Sequence, residues 1–244
     1  MPSKAAALAR SSHPGPSLAV TIITVGLGFS AGLDPLRLVF LGVSMLAGQV
    51  SVGLSNDWID ADRDAAVGRT DKPIALGWIR ASTVRNAAFV CAGLMLVLAI
   101  PLGWLAELVL VVAVGAAWAY NAWLKRSPIS IVPYLIGFGA LPAIATLSRA
   151  VPVAPAWWAL GVAALLGAAG HFANTLPDLD GDAATGVRGL PQLLGRRWSS
   201  ALTYLVLLAA SVLEFFGTGG LGFLPGEIGL AAAVVIAIVG GAMI

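Results

Sequence analysis

Stretches of about 20 mainly apolar residues, the length a helix needs to cross the hydrocarbon core of a bilayer, recur along this chain. Pro14–Leu33, Asn86–Ala106, Ser127–Ser148 and Ala150–Pro177 are among them. Several such runs exclude a lone signal peptide or anchor. With 59% hydrophobic and 11% charged residues, the chain carries more apolar surface than one water-soluble domain can cover. The fold class that follows is all-α, a polytopic transmembrane bundle formed by residues 1–244 as a single integral-membrane domain.

Hydrophobic patterning gives eight helices, at 16–33, 36–56, 83–103, 105–124, 129–148, 155–176, 199–216 and 227–244. Breaks fall at Asp34-Pro35, Pro101, Pro128, the 152–155 segment and 217–226. Twelve of the fourteen Lys and Arg residues lie at the N-terminus and in the connections after the second, fourth and sixth helices; only Arg37 and Arg149 fall on the other side. The positive-inside rule therefore places the N-terminus and those connections in the cytoplasm, and the cell inner membrane is the expected location. A net charge of +2, with the basic residues scattered between apolar runs, makes no continuous basic face and excludes nucleic acid as a partner. The lone Cys91 sits in an apolar run and has no intramolecular disulfide partner.

Two of the cytoplasmic connections, about 57–82 and 177–198, hold eight of the twelve acidic residues. Carboxylates contribute little to topology and repel one another, so their collection there calls for a cation. The first cluster runs from Asn56 and Asp57 through Asp60 and Asp62 to Asp64. At 100° per residue Asp57, Asp60 and Asp64 share an arc of about 60°, with Asn56 beside them and Asp62 elsewhere. In the second cluster Asp178 and Asp182 are one helical turn apart and Asp180 lies opposite, while His171 and Asn174 extend the same face towards the membrane interior. Two rows of oxygen ligands facing each other suit Mg²⁺, a hard cation that binds through a few carboxylates, waters and substrate phosphate. Zinc does not fit one Cys and two His that are not grouped at ligand spacing. Arg69, Lys72, Lys125, Arg126 and Arg188 surround the clusters, and cations mixed with metal-bound carboxylates suit a diphosphate. Departure of that diphosphate from an allylic carbon leaves a cation that needs a dry, aromatic-lined cavity, for which Trp118, Tyr120, Trp123 and Phe172 are candidates.

These residues resemble a known family. Asn56, Asp57, Asp60 and Asp64 match the NDxxDxxxD motif of UbiA-type membrane prenyltransferases, and Asp178 and Asp182 its DxxxD motif. The stretch from Arg69 to Ile74 is similar to the basic-Pro segment that follows the first motif, and that from Gly186 to Pro191 to the one that follows the second. Tyr120-Asn121 with Lys125-Arg126 resembles the Tyr-to-Lys motif after the fourth helix, although Tyr and Lys are five apart here. The resemblance implies a helical bundle around a central cavity with a cytoplasmic cap. It implies catalytic roles for Asp60, Asp64, Asp178, Asp182 and Tyr120, with Mg²⁺, two ions bridging the diphosphate, on Asn56, Asp57, Asp60, Asp64, Asp178 and Asp182. Arg69, Lys72, Lys125, Arg188 and Asn56 are the implied diphosphate contacts, and His171, Asn174 and Asn121 the acceptor or cavity residues. The expected partners are an isoprenyl diphosphate, an aromatic or lipid-type acceptor and the bilayer. The family typically has nine helices where eight are counted here, so a last helix is expected to be missing or divergent at Ile244.

Set beside prenyl transfer are a membrane terpene cyclase on the same scaffold, needing no acceptor, and an ion or metabolite transporter. Transporters keep their sites near the bilayer midplane, whereas these carboxylates gather at helix ends. Asp62, Asp71 and Asp180 read as ordinary solvated charges, and Trp157, Trp158 and Trp198 as interfacial anchors. Acceptor identity, prenyl chain length and oligomeric state are left open by the sequence.

Overall fold

The computed structural model describes residues 2–184, 186–222 and 224–242, without the side chains of 180, 183, 184, 224 and 236–242. Every regular element among them is helical: α1 (Lys4–Ser11), α2 (Pro14–Ser30), α3 (Pro35–Ile59), α4 (Ala61–Ala66), α5 (Ala81–Ala99), α6 (Trp104–Ala122), α7 (Val132–Gly139), α8 (Leu141–Leu147), α9 (Trp157–Thr175), α10 (Leu179–Ala184), α11 (Leu190–Gly217) and α12 (Leu224–Ala242). Five helical stretches are long and apolar enough to cross a membrane, Pro35–Ile59, Ala81–Leu102, Trp104–Ala122, Trp157–Asp178 and Leu190–Gly217. Pro14–Ser30, Val132–Leu147 and Pro225–Val235 are shorter apolar helices, and with them all eight expected runs are helical. The last two residues of the expected eighth helix lie outside the described residues.

The chain forms two compact units, Met1–Ala122 with Ile144–Ala154, and Trp123–Ala143 with Pro155–Ile244. In the first, α3 is the central helix, packed against α2, α5 and α6. Its start is fixed by Asp34, whose side chain accepts from the Arg37 amide at 3.0 Å, followed by Pro35 in the first turn. Small residues Ser44, Gly48, Ser51 and Ser55 are buried along α3 and let the neighbouring backbones come close. Each serine hydroxyl donates to a carbonyl three residues back on α3, so burial leaves no unmet hydroxyl there. One turn before Asp57, the bare surface of Gly53 abuts the chain ahead of α2: a Cβ there would lie 2.3 Å from the Ser12 carbonyl oxygen. Backbone cannot move aside as a side chain can, so Gly53→Ala is expected to destabilise the chain by about 1–3 kcal/mol. A lowered thermal midpoint of the detergent-solubilised protein checks this, and an unchanged midpoint refutes the close approach.

In the second unit α9 packs against α7 and α11, and α12 against α11. Two expected boundaries differ here. The expected 129–148 helix is two pieces, α7 and α8, and the division between the units falls within α8. The chain is helical from Leu190, but Gly195, at φ +77° and ψ 172°, kinks α11 into a short first stretch and a longer apolar one, so the helix expected from 199 begins just beyond that kink and is preceded by an extra helical stretch. The first unit differs at two places as well. An additional helix, α1, precedes the first long run, and α5 ends at Ala99, where Pro101 converts the chain to a 3₁₀ turn over Ile100–Leu102.

Candidate active site

The first acidic cluster is built on the end of α3 and on α4. The helix expected to end at 56 runs on to Ile59, and Asp60 caps it at φ −88° and ψ 0°, yet the backbone ladder continues from Asp60 to Asn56 and from Asp64 to Asp60. Continuity of the turn keeps Asp57, Asp60 and Asp64 together as buried side chains, 2%, 2% and 3% exposed, while Asp62 is exposed. Carboxylates are rarely this buried without partners. Arg63 supplies one, donating from Nη2 to Asp60 Oδ2 at 3.2 Å and approaching Asp64 Oδ1 at 3.9 Å. Burial pushes the Asp64 carboxyl above the ordinary carboxylate range, with the charge of Asp60 adding to it and Lys72, Arg63 and Arg69 opposing.

Asp57 is engaged differently. Its Oδ1 accepts from Lys72 Nζ at 2.6 Å and lies 2.8 Å from His13 Nε2, and its Oδ2 is buried with no hydrogen-bond partner. Asn56 donates to Asn121 Oδ1 at 3.3 Å and to Asp60 Oδ2 at 3.4 Å. Asn121 in turn donates to the Val52 carbonyl at 3.0 Å and to Ser55 Oγ at 2.8 Å. Asn121, expected among acceptor or cavity residues, therefore ties the end of α6 to α3 and holds Asn56. Arg69 forks onto Asp71 through two 2.8 Å bonds, which hold the Asp71 carboxyl well below the usual range. Tyr120 is half-buried in the last turn of α6. Nearby on the same unit Trp58, Phe89 and Trp118 form an aromatic run with centroid spacings of 5.9 and 5.2 Å.

The second cluster is looser. Pro177 turns the end of α9 into a 3₁₀ turn over Leu176–Asp178, so the face expected to run from His171 through Asn174 to Asp178 is not one α-helical stripe. Asp178 and Asn174 are exposed, and Asp182 is half-buried with Oδ2 accepting from Gln192 Nε2 at 2.8 Å. The side chain of Asp180 lies outside the described residues. His171 is fully buried where α9 meets α7, its Nε2 3.0 Å from Ser130 Oγ and its ring 4.7 Å from that of Tyr134. Ser130 Oγ also accepts from the Leu190 amide at 2.9 Å, at the start of α11. Lys125 is buried, whereas Arg188 is exposed.

Among the described residues no three His, Cys, Asp or Glu side chains group closely enough to ligate a single ion. That is compatible with magnesium, which binds through one or two carboxylates and completes its shell with water and phosphate oxygens. The donor set of the first cluster is all oxygen, and three carboxylates buried within two turns make a concentration of negative charge that a hard cation relieves. The residues therefore fit the metal. Sequence reasoning missed His13 and Ser130, whose partners lie 44 and 41 residues away, and Gln192, ten residues from Asp182. It missed Arg63 as well, although a spacing of three residues from Asp60 was a local signal for the pair.

Residues 17–244 match the UbiA prenyltransferase family. Digeranylgeranylglyceryl phosphate synthase of Natronomonas pharaonis is 28% identical over 236 residues, covering 91% of this chain and 83% of that protein. Protoheme IX farnesyltransferase of Rhizobium etli is 31% identical over 239 residues, covering 91% and 72%. The bacteriochlorophyll synthase 33 kDa chain of Cereibacter sphaeroides is 34% identical over 207 residues, covering 78% of this chain and 65% of that one. Among solved structures, a UbiA homolog from Archaeoglobus fulgidus bound to DMAPP and Mg²⁺ is similar with a TM-score of 0.80, over 95% of this chain and 86% of that chain at 16% identity. At that identity the likeness is one of fold.

Proposed function

The chain belongs to the UbiA prenyltransferase family, and on that premise we propose that it transfers a prenyl group from an allylic isoprenyl diphosphate to an aromatic or lipid-type acceptor and releases diphosphate. The observation that carries this reading is the burial of three carboxylates, Asp57, Asp60 and Asp64, at the end of a membrane-length helix, beside Lys72 and Arg63. Carboxylates buried at a membrane edge in this way mark function. The names of the three relatives span a lipid phosphate, a bacteriochlorophyll and a protoheme. They support prenyl transfer to an acceptor whose identity differs from member to member.

In this reading Asp60 and Asp64, with Asn56, and Asp178 and Asp182 hold two magnesium ions. Magnesium, when bound, neutralises charge that grows on the departing diphosphate. Lys72, Arg69, Lys125 and Arg188 contact the diphosphate oxygens, binding the charge-separated transition state better than the ground state. The bond between the allylic carbon and the diphosphate oxygen breaks with its electron pair leaving on oxygen. An electron pair of the acceptor then forms the new bond to carbon, and the acceptor gives up a proton. Tyr120 faces the allylic cation with its ring, and Asn121 positions Asn56. His171 and Asn174 border the acceptor. The distribution of Lys and Arg supports a cytoplasmic N-terminus and cytoplasmic aspartate clusters in a cell inner membrane, with residues 1–244 acting as one catalytic domain.

The test is product analysis on the full chain in lipid nanodiscs, supplied with prenyl diphosphates of graded length, with and without candidate acceptors. The expected result is an acceptor whose mass rises by one prenyl group and an equal amount of diphosphate. Diphosphate and a cyclic hydrocarbon formed without acceptor identify a cyclase instead, and no consumption of any prenyl diphosphate overturns the proposal.

A further inference from the structure

The segment ahead of the first long apolar helix is built into the first acidic cluster. Ser3 caps α1 by accepting from the Ala6 amide at 3.2 Å, and Ala7 is fully buried in a core with Leu54, Ile79, Val84 and Ala88. Arg10 lies over the Trp78 ring at 5.6 Å, and the Ser12 carbonyl rests on Gly53. These contacts anchor the segment without calling on His13. Yet His13 sits at φ +51° and ψ +64°, and it is the one residue other than glycine with positive φ among the described residues. Glycine or asparagine takes that conformation at less cost, so the backbone does not account for a histidine there. The side chain does. Its Nε2 is 2.8 Å from Asp57 Oδ1, the same oxygen that accepts from Lys72 Nζ at 2.6 Å, and the two nitrogens are 3.2 Å apart. A carboxylate oxygen can only accept, so this contact is a hydrogen bond when the ring proton is on Nε2.

We propose that His13 is a positioning residue of the diphosphate site, fixing the Asp57 carboxylate so that Asp57 holds the Lys72 ammonium where it meets the diphosphate. The inference rests on the function proposed above. It also gives Asp57 a task different from that of Asp60 and Asp64. With Oδ2 lacking a partner, Asp57 is located entirely through Oδ1. Two donors converging on that oxygen fix the carboxylate plane, and one donor does not. The Lys72 side chain is 12% exposed, and its long flexible stem needs such an anchor, since a lysine ammonium has no geometric preference of its own. One of its three N–H groups serves Asp57, and the others suit phosphate oxygens.

The test uses the full chain in nanodiscs and four variants, Lys72→Ala, His13→Ala, His13→Gln and the His13→Ala, Lys72→Ala double. KM and kcat are measured for a prenyl diphosphate, with the inhibition constant of inorganic pyrophosphate and the thermal midpoint. Lys72→Ala is expected to raise KM and the pyrophosphate constant by about a hundredfold, the loss of a charge-assisted contact. His13→Ala is expected to raise both by about tenfold, with kcat changed less than about threefold. His13→Gln, whose amide can donate to Oδ1, restores most of the loss. The double variant is no worse than Lys72→Ala alone, because His13 acts through Lys72. If the two losses multiply, or if His13→Ala lowers the thermal midpoint and leaves the pyrophosphate constant unchanged, His13 is structural only and the inference is wrong. Should His13→Ala not fold, His13→Phe, which keeps a ring but no donor, takes its place in the cycle. A Lys72→Ala variant that binds pyrophosphate like the wild type refutes the diphosphate role of Lys72 itself, whatever His13 does.

Discussion

Asp60→Ala and Asp178→Ala are each expected to lower turnover by about a thousandfold or more while the protein still inserts and folds. The two positions differ in a way that makes the pair informative. Asp60 is buried and accepts from Asn56 and Arg63. Its removal leaves Arg63 near Asp64, and the Arg63 side chain is 24% exposed, so water can meet its lost bond and the destabilisation stays modest. Asp178 is exposed in a 3₁₀ turn, and its removal leaves no buried group among the described residues without a partner. A loss of activity shared by both variants therefore cannot be assigned to unfolding. Asp62→Ala serves as the control, since Asp62 is exposed on α4 between the two buried carboxylates. It should retain turnover within about twofold, as surface substitutions usually do. The measurement is kcat from product formation, with circular dichroism on the same preparations. Near-normal turnover in both Asp60→Ala and Asp178→Ala would remove the assignment of these carboxylates to a metal-bound diphosphate.

The spans were legible because each needs only a run of apolar residues, and runs are local. The buried face of the first cluster was legible for a related reason: Asp57, Asp60 and Asp64 repeat at helical spacing, and the chain keeps a helical turn through Asp60 even where α3 gives way to α4. What escaped depends on residues far apart. His13 meets Asp57 across 44 positions and Ser130 meets His171 across 41, and no window of sequence holds both partners. The bonds that join Asn121 to Asn56, Ser55 and Val52, 65 to 69 positions away, were hidden for the same reason. The helical stretch ahead of Gly195 was hidden because Gly195, Arg196 and Arg197 interrupt the apolar pattern, and the positive φ of Gly195 that kinks α11 there is a tertiary choice. The bend at Pro177 was visible as a residue, but its effect on the face carrying His171, Asn174 and Asp178 required the backbone.

Removing divalent cations with EDTA is expected to stop turnover altogether, and added Mg²⁺ to restore it. The reason lies in the charge of the first cluster. Three carboxylates are buried within two turns, Lys72, His13 and Arg63 are paired with them, and the Asp64 carboxyl is already pushed up by burial and by its neighbour Asp60. A diphosphate brought to such a cluster without a metal adds negative charge to an excess of it, so binding as well as chemistry is expected to fail. Two readouts separate this from a loss of folding. Inorganic pyrophosphate should bind the wild-type chain in the presence of Mg²⁺ and not in EDTA. Mg²⁺ with pyrophosphate should also raise the thermal midpoint of the wild type, since a ligand that binds only the folded state stabilises it, and should leave that of Asp60→Ala unmoved. Mn²⁺ is expected to substitute in part, being another ion suited to oxygen ligands. Turnover that persists at the wild-type rate in EDTA would show that Lys72, Arg63 and their basic neighbours carry the diphosphate unaided, and the carboxylates would then need another explanation for being buried.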